Sequence, residues 1–247
     1  AGVVRAVGVY QQKARLAVID CTGLRLESFV KSESRTASGL LVMECSALMA
    51  DGISGYFAWV SCSDAVIVGN TVANVTREHV VRMGYYSRVL VAHNEFANLD
   101  RRPGDPGDLS KGCIVAQRGS YVWISGNHCQ FGGIGIGPLG GRDGLSDAGG
   151  LTQSAVVEQN TVDGGNAIVL SNGSQHVMVR ENVIDRGAAD LSGIEVLGPD
   201  AAYPGRVSMD LAIYGNRQYR VGDIAPAVRV DAGIDGSQIH DNVVRER

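Results

Sequence analysis

The hydrophobic and polar positions of this chain follow a short recurring pattern: an apolar residue, a variable one, a β-branched one, two variable positions, then Asn. It reads AVIVGN ending at Asn70, VLVAHN at Asn94, VWISGN at Asn127, AVVEQN at Asn160, VMVREN at Asn182, LAIYGN at Asn216 and SQIHDN at Asn242. Two earlier copies, LAVIDC at Cys21 and LLVMEC at Cys45, carry Cys at the anchor. Successive anchors lie 24, 25, 24, 33, 33, 22, 34 and 26 residues apart. Three residues before the anchor stand Val18, Val42, Ile67, Val91, Ile124, Val157, Val179, Ile213 and Ile239, all β-branched. The next position holds Ile19, Met43, Val68, Ala92, Ser125, Glu158, Arg180, Tyr214 and His240, an unconstrained set. Inside-then-outside alternation of this kind is strand periodicity.

A repeat of this length decides the architecture before any local detail. No helical period accompanies it, and a propeller blade needs about 40 residues. The units suit single coils of a parallel β-solenoid, the longer ones carrying loop insertions. Nine coils stacked at the inter-strand spacing make a rod roughly 40 Å long. Each Asn is expected at a bend, its amide hydrogen-bonded to the Asn of the next coil. A second strand precedes the later anchors: HVVRM (79–83), GCIVA (112–116), GIGIG (133–137), AIVL (167–170), GIEVL (193–197) and AVRVD (227–231). Its outward column is Arg82, Val115, Gly135, Val169, Glu195 and Arg229, and function is expected on that face.

Composition narrows the classes. Glycine contributes 33 of 247 residues, nearly twice the usual share of roughly 7%. It has no period of three, which excludes collagen. Apolar content is normal and the net charge is -4, which argues against disorder and against a general nucleic-acid binder. No apolar run is long enough for a membrane-spanning helix. Five cysteines form no CxxC pair, and their odd number leaves at least one thiol unpaired. The chain starts at Ala1, as a mature or trimmed form would. Its whole length, 1–247, reads as one all-β domain.

The V-x-[VI]-x-x-N ladder resembles that of the right-handed parallel β-helix proteins of the pectin-lyase-like superfamily. The resemblance covers nearly the whole chain and implies a right-handed β-helix that binds a polysaccharide along one sheet between loops. It also implies a secreted, periplasmic or cell-surface protein. The polygalacturonase set, the calcium-dependent pectate lyase pattern and the DPHD of alginate epimerases are absent. What the resemblance leaves is a polysaccharide lyase that cleaves an acidic, uronate-containing glycan by β-elimination, with a Lys or Arg base. The alternatives are a non-catalytic glycan-binding or structural β-helix, tailspike- or adhesin-like, and a uronate epimerase or glycoside hydrolase.

Uronate elimination requires a cation to neutralise the carboxylate and the enolate. It also requires a base for the C5 proton and an acid for the leaving oxygen. The best constellation lies between 77 and 118: Arg77, Glu78, His79, Arg82, Arg88, Arg101, Arg102, Lys111 and Arg118. Aligning the anchors Asn94 and Asn127 sets Glu78 beside Lys111 and Tyr85 beside Arg118. Lys111 is then the base, Arg82 and Arg118 bind the carboxylate, His79 or Tyr85 is the acid, and Glu78 orients Lys111. Trp59, in the column of Arg82, together with Arg102, Glu195 and Arg229, would contact substrate. The bland reading is that outward charges form surface pairs across coils, worth about 0–1 kcal/mol.

Loops at 98–111, 137–152 and 198–210 border the same face. Asp143 and Asp147 in the second loop are the residues a calcium ion would use, although their spacing fits no defined loop; no other metal or cofactor is expected. Tyr56, Phe57, Trp59, Tyr85, Tyr86, Tyr121 and Trp123 fall in three consecutive coils and could stack on sugars. Trp123 reads as packed beneath a loop, and His93, His128, His176 and His240 as solvated. Glycines in GGIGIG, GPLGG, GLSDAGG and DGG fit coil bends and one groove-side loop, and Gly135 leaves the outer column bare next to the basic cluster. Bare solenoid ends invite association. Either residues 1–15 fold across the N-terminal opening, or the chain is part of a longer protein or a homo-oligomer.

Overall fold

Alternating β-branched residues make strands, and the residue before each anchor makes the corner that joins them. In the computed structural model that residue is left-handed in all nine coils: Asp20, Glu44, Gly69, His93, Gly126, Gln159, Glu181, Gly215 and Asp241, with φ between 51° and 67°. Only glycine adopts this conformation without penalty; other residues lose roughly 1–2 kcal/mol. The structure describes residues 5–9, 15–32, 34–50, 55–76, 78–98, 112–137, 151–163, 168–171, 173–187, 192–198, 207–220, 225–231 and 234–246.

Three strands in each coil build three nine-stranded parallel sheets. Sheet A holds strands such as Ala58–Val60, Val81–Met83, Ile114–Ala116 and Ile134–Ile136. Sheet B holds the anchor strands, among them Tyr86–Ala92 and Gly119–Ser125. Sheet C holds the strands after the anchor, such as Glu95–Asn98 and His128–Gln130. The sheet C strands were not separated by the sequence pattern. Their inward positions include Ala47, Cys129 and a buried Gln218 as well as Val72 and Phe96, so the apolar signal is diluted. Residues 5–9 do not cross the N-terminal opening; they form the first strand of sheet A, pairing Arg5 with Ser28 and Val7 with Val30.

The β-branched column lines the core. Val42, Ile67, Val91, Ile124, Val157, Val179 and Ile213 have no solvent exposure, Val18 has 6%, and Ile239 in the last coil has 41%. Phe57 belongs to this core, stacked on Phe29 at 4.9 Å. Tyr86 is also buried. Neither reaches the outer face where a sugar could stack.

At the corners from Asn70 through Asn216 the anchor carboxamide bridges coils on both sides. The Asn94 backbone N–H and its Nδ2 both donate to Asn127 Oδ1, at 3.1 and 2.8 Å. Nδ2 also donates to the Ile67 carbonyl at 3.0 Å. The same set repeats from Asn70 through Asn216, and Asn242 ends the ladder as an acceptor. Cys45 imitates part of it. Its N–H donates to Asn70 Oδ1 at 3.0 Å, and its thiol points at the Val18 carbonyl at 3.5 Å.

Sheet B carries a second left-handed column, six residues before the anchors. It comprises Gly39, Asp64, Arg88, Tyr121, Ser154, His176, Asp210 and Gly236. Pairing skips this residue on both strands, passing from Ser87↔Ser120 to Val89↔Val122 without a change of register, so each strand carries a matched left-handed kink there. Arg88 therefore leaves the expected basic constellation and forms a pair with Asp64 at 2.6 Å. His176 lies 3.2 Å from Asp210.

On sheet C, His128 clips three coils together. Its Nδ1 lies 2.8 Å from Glu95 Oε2 and its Nε2 2.5 Å from Asp163 Oδ2. Partial burial pulls its pKa down, but the two carboxylates outweigh that and hold it above the ordinary imidazole value. His240 lies 2.8 Å from Asp241 and stacks on Tyr214. Thus His128, His176 and His240 are engaged side chains, not merely solvated ones.

Two predictions follow from the corners and the clip. Asn127→Ala strands two donors on Asn94 and the Val91 carbonyl, and should cost about 3 kcal/mol or more in urea unfolding. Asn242→Ala at the half-open end should cost about 1 kcal/mol; equal losses would show that the ladder is not the stabilising element. The contribution of protonated His128 is complete below its unfolded pKa, about 6.5, and is lost as pH rises through the higher folded value. Thermal melts across that window should therefore fall more steeply for wild type than for His128→Gln. Parallel curves would remove the clip from the stability balance.

Candidate functional site

The outer column of sheet A is continuous. Register pairs Lys31 with Trp59, Trp59 with Arg82, Arg82 with Val115 and Val115 with Gly135. It continues through Val169 and Glu195 to Arg229. Parallel pairing without bulges keeps these positions in line, so side chains from coils far apart in sequence meet at a fixed spacing.

The N-terminal half of the column is a cation–aromatic cluster. Arg82 donates through Nη1 to the Tyr56 hydroxyl at 2.8 Å and through Nε to Gln117 Oε1 at 3.3 Å. Its guanidinium lies 5.0 Å from the Trp59 ring centroid, and Lys31 Nζ approaches the same ring at 4.7 Å. Tyr56 packs edge-on against Trp59 at 4.8 Å. Burial raises the Tyr56 pKa, the nearby Arg82 opposes that rise, and Glu78 reinforces it. Glu78 thus sits by Tyr56 and shares the cluster with Arg82.

The neighbouring corner holds a second guanidinium pair. Arg118 donates to the Tyr85 hydroxyl at 3.2 Å, and Arg35 lies flat on the Tyr85 ring at 3.4 Å. The alignment of Tyr85 with Arg118 is therefore observed. Arg82 and Arg118 are only 8% and 7% exposed, far from the solvent-paired surface charges of the bland reading. Cationic stacking of this kind strengthens as water is excluded.

His79 is also buried, with Nδ1 3.0 Å from the Gly112 nitrogen and 3.2 Å from its carbonyl oxygen. It tethers one coil to the next. Glu195 and Arg229 lie opposite each other, but Glu195 is four strands along the column from Arg82, roughly 19 Å at the inter-strand spacing. Arg229 sits 3.5 Å from Asp231. The structure does not bring these two into the cluster. Arg77, Arg101, Arg102, Lys111, Asp143 and Asp147 lie outside the described residues, as do most of the loops 98–111, 137–152 and 198–210.

Lys31, Arg35 and Gln117 complete the cluster and were not singled out from sequence. Lys31 follows the same inside–outside alternation, in SFVKS (28–32). The distance from this strand to its anchor varies with loop length, so spacing alone does not align it with Arg82.

Sheet B presents a different surface. Val66, Leu90, Trp123, Val156 and Met178 form an apolar outward column. They floor a groove of about 670 Å³ edged by Asp64, Arg88, Tyr121, Ser154 and His176. Trp123 is 51% exposed and not covered by a loop as expected. Its Nε1 donates to Glu158 at 2.8 Å, and Glu158 also binds Arg180. Among the described residues no group of three or more His, Cys, Asp or Glu is arranged to hold a metal ion, and no helix is long and apolar enough to cross a membrane.

No curated protein matches the sequence. Among solved structures, two variants of the tailspike protein of E. coli bacteriophage HK620, each in complex with a pentasaccharide, are similar to the chain. One is 11% identical with a TM-score of 0.47, and the other is 13% identical with a TM-score of 0.44. The chain is covered to 99% in both, and spans 51% and 57% of those longer chains. Residues 33–203 match the family model described as right handed beta helix region. The match takes in most of the chain, and the stacked parallel sheets agree with it: this protein belongs to the right-handed β-helix family.

Proposed function

We propose that the protein binds an acidic polysaccharide along the outer face of sheet A and cleaves it by β-elimination. The observation that carries this reading is the pair of buried guanidiniums, Arg82 and Arg118, held among Tyr56, Trp59, Tyr85 and Gln117. Arginines fixed this way are pre-oriented and weakly solvated, which suits planar carboxylate recognition. Lys31 and Arg35 add positive charge at the same rings. The strip at Gly135 read from sequence as bare is covered, because Gly135 and Val115 are both buried; Lys31 and Trp59 are the partly exposed side chains of the column beside Arg82.

In the elimination the base takes the C5 proton, the C4–O bond breaks, and the acid protonates the leaving oxygen as the C4–C5 double bond forms. Arg82 and Arg118 would neutralise the carboxylate and the charge that develops on it. Tyr85 is the better acid candidate. Its oxygen accepts from Arg118, so its own proton is directed elsewhere. His79 is committed to the Gly112 backbone. Lys111 remains the proposed base, with Arg102 and Trp59 at the substrate. Glu195 and Arg229 would meet the polymer several sugars away. Secretion or surface display goes with such a substrate.

A non-catalytic glycan-binding module is the second reading. It is favoured by the engagement of both guanidiniums with protein groups, as in a rigid binding surface.

The test is a panel of alginate, pectate and glycosaminoglycans followed by ultraviolet absorbance of the unsaturated product, with binding measured in parallel. Turnover is expected on at least one. Arg118→Ala should lower it by about 10²-fold or more, and Tyr85→Phe by about 10²-fold, with the far-ultraviolet circular dichroism of the fold retained at the assay temperature. Binding without turnover would leave the module reading; neither binding nor turnover would sink both.

A further inference from the structure

The amide ladder starts at Cys45, and the rung before it is missing. Between Cys45 and Asn70 the carboxamide oxygen accepts one hydrogen bond from the preceding coil, and between every later pair of anchors it accepts two. At the first step both anchors are cysteines, and a thiol is a weak acceptor. Cys21 Sγ lies 3.3 Å from the Ile19 carbonyl, and Cys45 Sγ lies 3.2 Å from the Met43 carbonyl. These are the same local positions that anchor Asn side chains take, as with Asn70 Nδ2 on Val68. The two thiols therefore project the same way from equivalent corners.

Register places them face to face. Ile19 pairs with Met43 before the corner, and Thr22 pairs with Ser46 after it. The Ser46 N–H donates to the Cys21 carbonyl at 2.9 Å. Neighbouring strands at roughly 4.8 Å fall inside the window of roughly 4.4–6.8 Å between Cα atoms that a disulfide spans. The Cys21 thiol is near enough to disturb the Cys45 thiol electrostatically. Cys21 is exposed while Cys45, Cys62, Cys113 and Cys129 are buried, so an oxidant reaches this pair through one sulfur.

We propose that Cys21 and Cys45 form a disulfide, a covalent rung that replaces the missing amide rung between the first two anchor corners. With glutathione disulfide as oxidant, the Cys21 thiolate attacks one sulfur and releases one glutathione thiol. Cys45 then attacks Cys21 Sγ and releases the second. Two S–H bonds are lost, one S–S bond forms between the cysteines, and the two electrons reduce glutathione disulfide to two thiols. Burial holds the Cys45 thiol above the ordinary range, so the second step speeds up with rising pH. The link closes residues 21–45, with strands Thr22–Leu26, Ser28–Ser32 and Ser38–Met43, into a loop, which restricts the unfolded chain.

The experiment treats the full chain with glutathione disulfide, blocks remaining thiols, digests without reductant and maps linked peptides by mass. The expected result is loss of two of the five thiols, a Cys21–Cys45 link, and a melting temperature higher by roughly 5–10 °C that dithiothreitol reverses. Cys21→Ser should keep its four thiols and show no response of melting temperature to either reagent. Cys45→Asn, which extends the amide ladder by one rung, should likewise be insensitive. Five persistent thiols, glutathione retained on Cys21 with Cys45 unlinked, or a Cys113–Cys129 link in place of the proposed one would each overturn the proposal.

Discussion

Each coil turns a corner through a left-handed residue that most side chains disfavour, and from the third coil onward an anchor carboxamide holds that corner shut. Six of the nine corner residues are not glycine. Their conformational cost recurs at every coil, so the anchor must offset it every time. Asn can do so because one side chain offers both an acceptor and two donors, and the corner presents orphan groups of both kinds. Asp would leave carbonyls without donors, and Ser is too short to reach the next coil. A thiol supplies only a weak donor, which is why the two cysteine corners sit at the start of the ladder and not within it.

This constraint sets the rest. With corners locked, every coil repeats at the strand spacing, and the outer faces become columns. What a column presents depends on sequence alone. Sheet A gathers Lys31, Trp59 and Arg82, while sheet B exposes Leu90, Trp123 and Val156. Insertions enter between strands without disturbing the register, so unlike loops can border the same rigid floor. A long polymer fits such a surface, because its repeat and the protein's repeat run along one direction.

The repeat, the coil number, the inward column and the Asn ladder were legible because each depends on one residue type at a fixed offset from an anchor. The outward column from Arg82 to Arg229 was legible for the same reason, since Ile114, Ile134, Ile168 and Ile194 mark the alternation. Sheet C was not, because Ala47, Cys129 and Gln218 serve its core positions as well as larger residues do. Lys31 and Arg35 escaped because loop length shifts sheet A against the anchor. Arg88 was misplaced for a different reason. Alternation puts it on the outward face with Leu90, but its backbone is left-handed there and its side chain pairs with Asp64, and a left-handed kink at a non-glycine residue leaves little trace in a hydrophobic pattern. Phe57 and Tyr86 were read as surface aromatics because aromatic identity says nothing of which side of a strand faces inward.

The charge of the cluster argues for its partner. The chain as a whole carries -4, yet Lys31, Arg35, Arg82 and Arg118 meet at three aromatic rings with Glu78 as the carboxylate among them. Concentrating like charges on a partly dry surface opposes folding unless other groups compensate, and here Trp59, Tyr56, Tyr85, Gln117 and Glu78 do so. A sequence free to vary could have placed Gln or Leu at Arg82, as it placed Val115, Gly135 and Val169 in the same column. Taking a guanidinium out of water costs stability unless its partners offset it, and for Arg82 the Tyr56 hydroxyl, the Gln117 carboxamide and the Trp59 ring are those partners. The same burial raises the strength of each contact to an anionic ligand, since water no longer screens it. The partly exposed Lys31 and Trp59 beside the buried guanidinium of Arg82 join positive charge to an aromatic face, the two features through which the proposed acidic glycan would be recognised.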